Sequence, residues 1–326
     1  LNCNEAPYPP ALAELAALTE QDLADLRLYS EPEGTALRAK LEELYGVEAG
    51  QVFLSNGSDD ILNFAFMAFG ADGAVFPALT YSFYPVFANL HGVAYETVPL
   101  REDFTLDVAG MQGKGKLTVF PNPNAPTGIA LPLDQVEAIV AANPDHVVVV
   151  DEAYVDFGAD SAVPLLQRYE NLLVVMTYSK SRSMAGARLG FALGSRTLLQ
   201  DLEKLKYSTN PYNVNRLTLK LGQAAVDSDG YFREKAREIM ATREKTAQAL
   251  RALGFTLPDS QANFLFVTHP KVAGETLYRK CKEKGVLIRH FSDPAIAAYN
   301  RVTIGTPAEM EAFLAVVQTI LKEEGA

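Results

Sequence analysis

The chain has 326 residues, 48% of them hydrophobic, and a formal net charge of −11 from 29 Lys+Arg against 40 Asp+Glu. Such a composition is that of a globular protein and excludes a disordered or fibrous one. The acidic balance without a basic cluster argues against a nucleic-acid partner. No apolar run approaches the ~18 residues of a membrane span, and residues 1–10 lack a basic stretch ahead of an apolar one, so neither a membrane partner nor a secretory leader is expected. Two distant cysteines, Cys3 and Cys281, fit a reducing cytoplasm. Four scattered histidines have no metal-ligand spacing, and no metal is expected.

In chain order, residues 1–28 read as an arm with a Pro-rich start and a short helix, for which Thr19 with Asp22 supplies the N-cap. A helix at 35–45 stops at Gly46. Short apolar strands are then expected at 51–54, 74–76, 94–98, 117–120, 146–150, 172–176 and 190–193. Helical patterns intervene at 60–69, 84–90, 133–142 and 197–206. Strands separated by helix-length segments are βαβ units, which build a mostly parallel sheet buried on both faces. The four valines at 147–150 suit a central strand with no wet face. After Tyr212 come helices at 214–226 and 231–253, a strand at 263–267, a helix at 272–284, strands at 286–289 and 301–304, and a last helix at 307–322. The expected organisation is an arm, 1–28, joining a small domain; a large α/β domain, 29–212; and a smaller C-terminal α+β domain, 213–326.

In an open parallel sheet, ligands bind beyond the carboxyl ends of the strands. Gly57-Ser58-Asp59 follows the first strand and opens a helix, an arrangement that suits a phosphate, although simple capping explains Ser58 and Asp59 equally well. Pro121-Asn122-Pro123-Asn124-Ala125-Pro126-Thr127-Gly128 follows the fourth strand and reads by itself as a rigid turn. Asp151-Glu152-Ala153-Tyr154 follows the valine strand. Ser179-Lys180-Ser181 follows the next, and Arg188 lies eight residues on, in a stretch of small residues that lets a ligand approach closely. Each element alone stays near its ordinary structural use. Together they put a phosphate cradle, an acid, a lysine and an arginine at one sheet edge. Pyridoxal 5′-phosphate explains the set: it needs a Schiff-base lysine, a carboxylate for its ring nitrogen, and helix amides with an arginine for its phosphate.

In order and spacing, Asn124-Ala125-Pro126-Thr127-Gly128, Asp151-Glu152-Ala153-Tyr154, and Ser179-Lys180 with Arg188 resemble the fold-type-I pyridoxal-phosphate aminotransferases, and among them the histidinol-phosphate aminotransferases. Supporting stretches run from Asn2-Cys3-Asn4-Glu5 to Arg301-Val302-Thr303-Ile304-Gly305. The resemblance implies Lys180 as the Schiff-base lysine and proton carrier, Asp151 at the ring nitrogen, Tyr154 at the phenolic oxygen and Tyr81 stacked on the ring. Gly57, Ser58, Asp59, Ser179 and Arg188 would surround the phosphate. Tyr29 would reach the phosphate of a neighbouring subunit, implying a homodimer with shared active sites. Arg301 and Arg289 would bind substrate anions, and Asn4 would fold over the site. Where the family carries an Asn on the phenolic oxygen, this chain has Ala125; Asn124 would take its place. By itself Tyr81 reads as helix core beside Phe83, Tyr84 and Phe87, and Arg289 as a surface residue.

The implied reaction is ping-pong transamination between L-histidinol phosphate and 2-oxoglutarate, in histidine biosynthesis. An aromatic amino-acid aminotransferase and a threonine-phosphate decarboxylase would use the same catalytic kit. A cofactor-free regulatory relic is disfavoured because the Lys, Asp and Arg positions are all filled. A dinucleotide enzyme is set aside because Gly113 and Gly115 precede their strand, the wrong order for that fingerprint.

Overall fold

A computed structural model describes residues 1–12 and 16–326. Residues 13–15 of the expected arm lie outside the described residues. The central sheet has seven strands: β1 (Val52–Ser55), β2 (Ala74–Pro77), β3 (Tyr95–Val98), β4 (Leu117–Pro121), β5 (Val148–Asp151), β6 (Leu172–Thr177) and β7 (Gly190–Gly194), in the spatial order β1-β7-β6-β5-β4-β2-β3. The run β3-β2-β4-β5-β6 is parallel, whereas β7 is antiparallel to both β6 and β1. The expected mostly parallel sheet is therefore present with one reversed strand. The reversal has a local cause: no crossover helix separates β6 from β7, only a short 3-10 turn at Ala185–Ala187, so the chain doubles back. The same reversal brings the start of β7, with Arg188 just before it, to the edge where the other six strands end.

The valine strand shows why the sheet is central. Val148 and Val150 pack into a cluster with Phe120, Val174 and Met176, while Val147 and Val149 pack on the opposite face with Phe53, Leu173 and Val175. Helices cover both faces. Ser58–Phe69 buries Ile61, Leu62 and Phe66, Leu133–Ala141 buries Val136, Ile139 and Val140, and Arg196–Thr209 buries Leu199 and Leu202.

A smaller antiparallel sheet follows, with β8 (Phe264–Val267), β9 (Arg289–His290) and β10 (Asn300–Thr303) in the order β8-β10-β9. It packs with the helices Asp229–Ala252, Gly274–Glu283 and Pro307–Glu324 around Leu265, Val267, Val302 and Phe313. The strand expected at 286–289 is only two residues long. The Val286 amide is spent on the Cys281 carbonyl in the helix exit, and Leu287 stays half exposed, so pairing starts at Arg289. In the arm, Thr19 and Asp22 form a reciprocal capping box on the helix Glu20–Ala24. The arm's start is stitched to the small sheet: Thr303 N donates to Leu1 O at 3.1 Å, and Asn4 N donates to Thr303 Oγ1 at 3.0 Å.

Gly190 fixes the spacing between β7 and the turn after β1. A Cβ there would lie 2.4 Å from the Gly57 carbonyl carbon and 2.5 Å from Ser58 N, both backbone atoms that cannot swing away. Gly190→Ala is therefore expected to cost about 1–3 kcal/mol of stability by overpacking. An unchanged denaturation midpoint would contradict this packing.

Candidate active site

Beyond the carboxyl edge of the large sheet lies a cavity of about 380 Å³ whose lining includes Ser58, Asp59, Tyr81, Asp151, Tyr154, Ser179, Lys180 and Arg188. These eight were singled out from widely separated sequence segments, and the parallel topology brings them together.

One end is built for an anion. β1 runs into Gly57 (φ 84°), which precedes the 12-residue helix Ser58–Phe69 and, having no side chain, leaves the helix without a side-chain cap. The first amides and the positive end of the dipole are thus left for a ligand. The positive φ favours glycine at this turn, and a Cβ would also stand 2.7 Å from Arg188 Nη2 and displace that guanidinium. Arg188, itself in a left-handed conformation (φ 53°), has Nη2 3.5 Å from Asp59 Oδ2. Both side chains are over two-fifths exposed, so the pair is weak and the guanidinium can turn to a stronger anion. Tyr81 donates to Asp59 Oδ1 at 2.8 Å, fixing both side chains, and lies edge-on to Tyr84.

At the other end, Asp151 closes β5 and is 5% exposed. Burial behind the valine strand pushes its carboxyl up to about 6; hydrogen bonds from Tyr84 Oη (2.9 Å) and Ala153 N (3.2 Å) pull the other way, as does the charge of Lys180. Lys180 stands three residues beyond β6, the strand paired with β5. Its Nζ lies 5.6 Å from the centre of the Tyr154 ring and donates to the Cys3 carbonyl at 3.4 Å. Glu152, fully buried next to Asp151, points away; it accepts from Ser161 Oγ and the Ala162 amide and ties down the following loop.

Asn4, 1% exposed, donates from Nδ2 to Tyr154 Oη at 3.0 Å and accepts from Thr303 Oγ1 at 2.9 Å, coupling arm, large sheet and small sheet in one network. A line of rings leads from Tyr154 to Arg301: Tyr154 meets Phe264 edge-on at 5.1 Å, and the Arg301 guanidinium sits 5.3 Å from the Phe264 ring. Arg301 donates to Asn2 O at 3.1 Å, but its buried Nε has no hydrogen-bond partner among the described residues. Burial lowers its pKa, and the charge of nearby Arg289, its partner in the β9–β10 register, does the same. A buried donor without an acceptor is costly unless a ligand supplies one.

Asn124 does not line the cavity; its Nδ2 donates to Leu79 O at 3.2 Å and Thr127 Oγ1 at 3.0 Å, and Ala125 is the residue set against the cavity. Tyr29 is also outside it, 77% exposed and stacked on Tyr212 at 4.5 Å. Three residues at the cavity have no site role in the sequence reading. Tyr84, which holds Asp151, reads there as helix core, and Cys3 and Glu5, which line the cavity, stand there only as part of a stretch supporting the resemblance. A second cavity of similar size lies behind the Lys180 loop, but its buried Arg182 is already paired with Asp229 at 2.6 Å.

Comparison with known proteins agrees with this geometry. The family model for aminotransferase class I and II matches residues 1–317. The chain is 45% identical over 325 residues to a histidinol-phosphate aminotransferase of Brachyspira hyodysenteriae, covering 99% of this chain and 92% of that one. It is 48% identical to histidinol-phosphate aminotransferase 1 of Bordetella parapertussis, covering 98% and 91%. The fold is shared with the solved histidinol-phosphate aminotransferase of Sinorhizobium meliloti in complex with pyridoxal-5′-phosphate (TM-score 0.89, 23% identity, 99% and 90% covered). With nearly its whole length matched and its cavity lined as described, the chain belongs to the class I and II aminotransferases.

Proposed function

We propose that this enzyme holds pyridoxal 5′-phosphate and transfers the amino group of L-histidinol phosphate to 2-oxoglutarate, giving imidazole-acetol phosphate and L-glutamate in two half-reactions, a step of histidine biosynthesis. The observation that carries this reading is a buried carboxylate and a lysine at the ends of two paired strands, in one cavity with an uncapped helix at one end. The names of the relatives support the donor.

The cavity fits the cofactor. The Gly57 turn, which a Cβ would fill, leaves room for a phosphate beside Ser58, Ser179 and Arg188. Bound there, the cofactor supplies an electron sink for the pair left when the substrate's amino carbon loses its proton. With the cofactor bound, Asp151 would hold a proton on its ring nitrogen, Lys180 would be its covalent anchor and then carry the proton of the substrate's amino carbon, and Tyr154, braced by Asn4, would donate to its phenolic oxygen. The Asn124 amide nitrogen, the donor such a contact needs, is engaged by Leu79 O and Thr127 Oγ1, which would leave the phenolic oxygen to Tyr154. Tyr81 packs against the ring, and Asp59 orients Tyr81 and Arg188. The unpartnered Arg301 Nε awaits a substrate carboxylate or phosphate, with Arg289 adding charge.

The working unit we propose is a cytoplasmic homodimer. Its subunits consist of a large cofactor-holding part, residues 29–212, a small part, 213–326, and an arm, 1–28. Tyr29, exposed and without a place in its own cavity, would enter the partner's site, and Leu23, Leu26 and Leu28 leave an apolar surface beside it for that partner. Among the described residues no helix is long and apolar enough to cross a membrane.

Loaded with cofactor, the enzyme is expected to form glutamate from L-histidinol phosphate and 2-oxoglutarate. Turnover confined to aromatic amino acids, or CO2 release from threonine phosphate, would contradict the reading. A second expectation concerns pH. In the free protein the Asp151 carboxyl sits at about 6, so it is protonated below that pH and cannot hold a charged ring nitrogen. Cofactor affinity should fall by up to about tenfold per pH unit below 6 and flatten above it. In Asp151→Asn the affinity should be weak and lack this pH step; an unaltered step in the variant would contradict the assignment.

A further inference from the structure

Three carboxylates line the cavity, and two are already engaged. Asp151 is held by Tyr84 and the Ala153 amide, and Asp59 by Tyr81 and Arg188. The third, Glu5, is exposed and makes no hydrogen bond or ion pair with any described residue. Yet its backbone is not loose. Its neighbour Asn4 is pinned through N to Thr303 Oγ1 (3.0 Å), through O to Asn263 Nδ2 (3.0 Å) and through its side chain to Tyr154 and Thr303. A free acid is thus presented from a fixed stretch of chain at the edge of the cavity, three residues beyond Asn2, whose carbonyl takes a hydrogen bond from Arg301, the cation paired in register with Arg289.

We propose that Glu5 determines specificity by accepting a hydrogen bond from the N–H of a nitrogen heterocycle on the amino donor, namely the imidazole of histidinol phosphate, an inference that rests on the functional reading above. The charges sort the substrates. A donor with an anion at one end and an N–H at the other satisfies the arginines and Glu5 together. Glutamate and 2-oxoglutarate carry a second carboxylate instead of the heterocycle, and Glu5 repels it. The residue therefore favours the donor half-reaction without aiding the acceptor half-reaction, an asymmetry that a purely structural residue would not produce.

The test is steady-state kinetics of the cofactor-loaded Glu5→Gln variant with both substrates, beside the unaltered enzyme. A hydrogen bond to a charged acceptor is expected to account for about a tenfold rise in KM for histidinol phosphate. The KM for 2-oxoglutarate should stay level or fall, and kcat should change little. Glu5→Asp should recover part of the donor affinity. Parallel rises in both KM values, or no change in either, would overturn the role of Glu5 while leaving the transaminase reading intact. Failure of the unaltered enzyme to turn over histidinol phosphate would overturn both.

Discussion

A buried acid facing a lysine across one cavity is the constraint on which the rest of this molecule depends. Asp151 ends a fully buried strand, where valines pack on both faces, so its ionised form loses solvation and its carboxyl is pushed up to about 6. Tyr84 and the Ala153 amide soften that penalty without removing it. Such a group is set to gain from the arrival of a cation, and a protonated ring nitrogen is one. The low dielectric that makes the free acid reluctant to ionise strengthens the pairing once it forms.

The sheet topology turns this local chemistry into a site. Six strands end at one edge and the seventh, β7, starts there, so Gly57, Asp151, Lys180 and Arg188 converge from four separate segments. Gly190 and Gly57 let the turn after β1 close on β7 and Arg188, leaving the first amides of a helix as an anion seat. The arm then ties the large sheet to the small one through Asn4, which touches both Tyr154 and Thr303. Any motion of the small sheet is thereby linked to the hydroxyl assigned to the cofactor.

Much of this was legible in the sequence because the signals were local. The helices at Thr35–Tyr45 and Tyr84–Leu90 and the seven strands of the large sheet follow from apolar runs bounded by Gly, Pro and Asn, and the candidate site follows from what stands after each strand. What escaped depends on partners remote in the chain. Tyr84 reads as core because its ring is core; only its hydroxyl, bonded 67 residues away, belongs to the site. Glu5 is an ordinary acid until the arm folds back on Thr303, 299 residues from Asn4. The reversal of β7 needed the short turn at Ala185–Ala187 to be recognised as too tight for a crossover, and the shortness of β9 comes from a helix exit that consumes the Val286 amide.

The central claim is that one particular amine carries the cofactor. Borohydride reduction of the yellow, cofactor-loaded enzyme, followed by peptide mass spectrometry, tests it most directly. The account predicts a single phosphopyridoxyl adduct on the peptide bearing Lys180 and none in Lys180→Ala; an adduct on another lysine with Lys180 unmodified would contradict it.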